Sequence, residues 1–86
     1  MAKGLFKKVK NLPTRQRFVV STIRKGEDVF ETAVFGANFF YLPRHLSNPD
    51  LTVETHNQDD AWDLHHQIAD RLAKEIPFKL FEEYRS

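Results

Sequence analysis

The chain predicts an α+β fold, with a small three-stranded antiparallel sheet and one long helix packed on one face. Three observations carry this. Residues 16–24 and 28–35 alternate with the two-residue period of strands and flank a turn signal, so they form a hairpin. Residues 51–56 alternate again and supply the third strand. Beyond Asn57, apolar side chains recur at three- and four-residue spacing, the pattern of a helix with one buried stripe. The 86 residues make one small domain, and 41% apolar residues with eight Phe are enough for a core. The organisation is a basic leader over 1–15 and a single α+β domain over 16–86.

Within the leader, Leu5, Val9 and Leu12 lie at helical spacing while Lys7, Lys8 and Lys10 fall on other faces, and Pro13 ends any helix there. So short a helix is unstable alone in water. The leader therefore docks on the body, docks on a partner or stays loose. In the first strand Phe18, Val20 and Thr22 point one way, and Val19, Ser21 and Ile23 the other. The run Arg24, Lys25, Gly26, Glu27 is a turn signal, with Gly26 free to take positive φ. In the second strand Phe30, Thr32 and Val34 alternate with Val29, Glu31, Ala33 and Phe35. Both faces of this hairpin are apolar, so both are expected to be covered.

Gly36 breaks the strand, and Pro43, Ser47, Asn48 and Pro49 mark an irregular connection. In the third strand Leu51, Val53 and Thr55 oppose Thr52, Glu54 and His56. Asn57 is the helix N-cap, and Asp60 stands where a capping-box carboxylate returns a bond. Asp59, Asp60 and Asp63 place negative charge near the positive end of the helix dipole. The buried stripe is Ala61, Leu64, Ile68, Leu72 and Ile76, widened by Trp62, His65 and Ala69. Pro77 stops or kinks the run. Phe78, Phe81 and Tyr84 fit a short helical face, expected to pack on the sheet or on another chain.

Val20, Ser21, Thr22 and Ile23, then Phe30 through Gly36 (F-E-T-A-V-F-G), then Asp60-Ala61 and His65 form a pattern. It resembles that of small uncharacterised proteins encoded by tailed bacteriophages: V-S-T, F-E-T-M-V-F-G, and an acidic helix start E-A with a following G-H. The resemblance spans roughly residues 19–66. The chain departs from the pattern at Ala33, where it has Met, and at Leu64, where it has Gly. The hairpin loop is also shorter. The resemblance implies a phage origin and a compact α+β domain, and it implies no activity.

Charge is divided along the chain. The first 26 residues hold eight bases and no acid, whereas residues 27–86 hold all twelve acids against five bases. Opposite poles on a small domain neutralise each other, pair with a second copy or meet an outside partner. There is no Cys, so disulfides and thiolate zinc sites are excluded. No apolar run approaches the ~18 residues of a membrane span, and lysines interrupt the apolar residues at the start, unlike a secretory signal. The expected location is cytoplasmic, in the host cell if phage-encoded.

Little in the sequence points to catalysis. His45, His56, His65 and His66 lack metal-ligand spacing, and adjacent helical histidines diverge by about 100°. There is no nucleophile motif, and three glycines make no phosphate loop. The expectation is no enzyme, no cofactor and no metal site, with His65 partly buried beside Trp62 and His66 in solvent. Two binding surfaces remain. Phe39, Phe40, Tyr41 and Leu42, with Arg44 at the rim, either complete the core or form a protein-binding knob. Lys3, Lys7, Lys8, Lys10, Arg15 and Arg17 could contact phosphates, with Phe6 and Phe18 stacking on bases. The leading expectation is a non-enzymatic protein that binds a host or phage protein, with a homodimer as a further partner state. The alternative is a nucleic-acid-binding accessory protein that uses the leader. A membrane partner is not expected.

Overall fold

Residues 4–10 alternate lysine with apolar side chains, and in the computed structural model they form a strand. The structure describes residues 4–45 and 47–85. Strand β1 (Gly4–Lys10) pairs along its length with β2 (Arg17–Gly26), β2 with β3 (Val29–Ala37), and β3 with β4 (Leu51–Thr55). All three pairings are antiparallel, in the order β1-β2-β3-β4. Helices α1 (Gln58–Lys74) and α2 (Pro77–Arg85) follow. The α+β class holds, but the described residues form four strands and two helices in place of three and one. The extra strand comes from the stretch set apart as a leader. Its lysines suit an edge strand, where they deter pairing with other chains.

Directly opposed residues of antiparallel strands share a face. The register therefore puts Val9, Phe18, Val20, Val34 and Leu51 on one side, where they form the core with Ile68, Ala69, Leu72, Leu80 and Phe81. The β2–β3 turn is made by Glu27 and Asp28. Asp28, not Gly26, takes the positive φ, at 54°. A short polar side chain tolerates that conformation, and the register slips between Arg24 and Gly26.

Asn57 caps α1 as expected, accepting from the Asp60 N–H at 2.8 Å. The return bond runs between side chains, from Asn57 Nδ2 to Asp60 Oδ2 at 2.8 Å. Ala61, His65, Ile68, Ala69 and Leu72 are the buried residues of α1. Leu64 is half-buried, and Ile76 lies past the helix end and is exposed. Pro77 opens α2, the position where a missing N–H costs nothing. Leu80 and Phe81 bury themselves, Phe81 edge-to-face on Phe18 at 5.9 Å, while Phe78 points to solvent. Because Phe18 belongs to the core side, both helices lie on one face of the sheet. The C-terminal aromatics do not cover the other face.

Asn11, in the β1–β2 connection, ties the sheet to the end of α1. Its Nδ2 donates to the Leu72 carbonyl at 2.6 Å and to the Glu75 carbonyl at 2.5 Å. Its Oδ1 accepts from the N–H and the hydroxyl of Thr14, both at 2.8 Å. The fully buried amide thus serves carbonyls that a helix end leaves without partners. Among the described residues, no helix is long and apolar enough to cross a membrane.

Candidate functional site: an aromatic loop beside an arginine-lined cavity

Past the end of β3 the chain makes a tight loop. Ala37 and Pro43 form an isolated bridge. The Asn38 N–H donates to the Leu42 carbonyl at 2.9 Å, and the Tyr41 N–H donates back to the Asn38 carbonyl at 2.9 Å. Asn38 Oδ1 accepts from the N–H groups of Phe40 (2.8 Å) and Leu42 (3.0 Å). One asparagine thereby fixes the loop, a standard use of that side chain in turns. Tyr41 completes the reversal with φ of 62°.

This backbone holds the apolar side chains outward. Phe39 is 70% exposed, Phe40 73% and Leu42 59%; Tyr41 is half-buried. The two Phe rings meet edge-to-face at 5.6 Å. The Arg17 guanidinium sits 4.5 Å from the centre of the Phe39 ring and 5.7 Å from that of Tyr41, within cation–π range. Arg44 is exposed, and its N–H donates to the Gly36 carbonyl at 2.9 Å. Phe39, Phe40, Tyr41, Leu42 and Arg44 thus gather at one end of the sheet, and none of them enters the core.

Behind the loop lies a cavity of about 390 Å³, lined by residues that include Arg15, Arg17, Phe39, Arg44, His45 and Asp50. The ion pairs formed among the described residues use Lys25, Arg71 and Lys74 as their cations, so the three cavity arginines have no carboxylate partner. Arg15 is held by the β1–β2 connection with φ of 63°, its N–H donating to the Asn11 carbonyl at 2.8 Å.

The other basic residues divide between two faces. Lys7 falls on the helix side, opposite Val20, whereas Lys8 and Lys10 oppose Val19 and Arg17 on the uncovered side. Lys3 lies outside the described residues. The uncovered face also carries Phe6 (62% exposed) and Ile23 (48%), with Val29 and Phe35 half-buried. Its far corner is acidic, since Glu31 and Glu54 oppose each other there, and Lys25 pairs with Glu31 at 3.3 Å.

His65 is buried, not partly exposed. Its Nδ1 lies 2.8 Å from the Thr22 hydroxyl, which lies 2.7 Å from the Thr32 hydroxyl. Burial, with His66 and Lys7 nearby, pushes its pKa down to about 4, so the ring is neutral at pH 7. Trp62 packs edge-to-face on Phe30 at 5.9 Å, and His66 is exposed. All three side chains of this hydrogen-bonded chain, His65, Thr22 and Thr32, are buried. Among the described residues, no three His, Asp or Glu side chains converge as metal ligands would.

The four consecutive large apolar residues are plain in the sequence, and so is Arg44. The convergence of Arg15 and Arg17 on that loop is not, because it depends on pairing the start of β2 with the end of β3. Comparisons with protein families, with curated proteins and with solved structures found no match.

Proposed function

We propose that the chain is a small non-enzymatic binding protein, phage-encoded and cytoplasmic in the host, that docks on a host or phage protein through the aromatic loop. The observation that carries this is the exposure of Phe39, Phe40 and Leu42 on a loop whose backbone is already fixed by Asn38. Exposed apolar surface is ordinarily scattered, and a preformed cluster of aromatic side chains is the composition of interface hot spots. Fixing the loop in advance also lowers the ordering cost of association.

The test is affinity capture from phage-infected cells, with Phe40→Ser as the matched bait. Wild type should retain a protein that the folded variant releases. Identical captured sets would overturn the reading.

A second reading draws on the uncovered sheet face. Lys8, Lys10 and Arg17 are neighbours there, with Phe6 in the same strand as the lysines, which favours a phosphate backbone with stacked bases. Titrating salt against labelled single-stranded DNA or RNA checks it, because phosphate contacts release counterions and weaken steeply as salt rises. Glu31 and Glu54 on that face count against it. The apolar part of the face is also where we place a second copy of the chain, as the alternative partner.

A further inference from the structure

We infer that the arginine-lined cavity receives a carboxylate from the docked partner, so that the protein recognises a short acidic segment carrying an adjoining apolar side chain. This rests on the protein-binding reading above and adds the chemistry of the partner. Arg15, Arg17 and Arg44 line one cavity of about 390 Å³ and have no carboxylate partner among the described residues. A guanidinium presents a planar fork that matches a carboxylate in two parallel hydrogen bonds. The Arg17 guanidinium lies over the Phe39 ring, 4.5 Å from its centre, which places it at the mouth of the aromatic loop.

With Asp50 in the lining, the cavity carries two net positive charges, counting His45 as neutral. That suits one or two carboxylates. Phe39 lines the same cavity and stands exposed beside Phe40, so an acid entering the cavity brings its neighbouring side chain against the aromatic rings. A long polyanion fits less well. Glu31 and Glu54 lie on the uncovered face, and residues 27–86 are strongly acidic.

The probe is the acetylated, amidated peptide Glu-Glu-Leu-Phe, with Gln-Gln-Leu-Phe as control, followed by NMR of the arginine Nε–H signals of the folded chain. The acidic peptide should shift Arg15, Arg17 and Arg44 saturably and bind roughly tenfold tighter than the control, the weight of one charge-assisted hydrogen bond. The Arg17→Gln, Arg44→Gln double variant, shown to be folded by its amide spectrum, should abolish that preference. No arginine shifts, or equal binding of the two peptides, would overturn the inference. So would a short oligothymidylate that binds more tightly than the acidic peptide and shifts the amides of Lys8 and Lys10. Phe40→Ser separates this inference from the function it rests on. Glutamate-dependent arginine shifts that survive Phe40→Ser unchanged keep the acid site and discard the loop. Binding that needs Phe40 but is indifferent to Glu or Gln keeps the loop and discards the acid site.

Discussion

Single residues decide more of this fold than their number suggests. Asn11 is the clearest case, because its one amide satisfies two helix-end carbonyls and two donors of Thr14. Asn11→Ala leaves those groups without partners inside the protein, and we expect a loss of about 2–3 kcal/mol in urea unfolding. His65 predicts a pH dependence. Its folded pKa of about 4 lies below the ordinary 6.5, so the unfolded chain takes up the proton first. Its contribution is complete above pH 6.5 and is lost as pH falls toward 4, by up to about 3 kcal/mol. Urea midpoints across that window should fall for wild type and fall less for His65→Asn. An equal slope in both would show that other groups carry the effect. Neither role can be read from sequence. The Asn11 partners lie 61 and 64 positions away, and the hydroxyl that receives His65 lies 43 away. The Asn57 cap was legible because all its partners are local.

At the scale of elements, the hairpin, the third alternating strand and α1 follow from periodicity, and the structure keeps them within a few residues. Strand β1 was hidden because Leu5, Val9 and Leu12 imitate helical spacing while Lys7 occupies the helix side of the sheet. A strand with a neighbour on one side only can turn a lysine outward, so its period-two signal is blurred. Helix α2 was half legible: its aromatics were evident, but Pro77 starts a new helix, and Leu80 replaces Phe78 on the buried face. Its docking is reinforced by Arg71 of α1, which bonds Glu75 and reaches Glu83 and Tyr84. These bonds hold the Glu75 and Glu83 carboxyls below their usual range. Depressed carboxyl pKa values give stability that is present above the ordinary range and lost as pH falls through the folded values. The protection factors of α2 amides, taken relative to the intrinsic exchange rate at each pH, should therefore fall on acidification, and Arg71→Ala should show the lower protection already at neutral pH. Protection unchanged in that variant would mean that Leu80 and Phe81 alone hold the helix.

For the whole molecule, the two sheet faces set the balance between folding and association. The helix face is a filled core, so Phe81→Ala should cost about 3–5 kcal/mol. Phe40→Ser, on a side chain 73% exposed, should stay within about 0.5 kcal/mol of wild type. That contrast, measured by thermal melts, separates a binding surface from a structural one. Among the described residues, no helix lies over the opposite face. That face is basic where Lys8, Lys10 and Arg17 meet and acidic at the diagonal corner of Glu31 and Glu54, with Phe6, Ile23 and Phe35 between. A two-fold axis lying across that diagonal would set each basic corner over the partner's acidic one. The charge division along the chain then becomes a self-complementary surface, as an isologous dimer requires. Phe6→Glu and Ile23→Lys each place a charge on that face, at residues outside the core cluster. Sedimentation equilibrium should show wild type approaching a dimer as concentration rises, more readily at low salt, and both variants remaining monomeric. If wild type stays monomeric throughout, the face is free for another partner and the second copy is excluded. If both variants dimerise as wild type does, association runs through a different surface, and the aromatic loop becomes the next place to substitute.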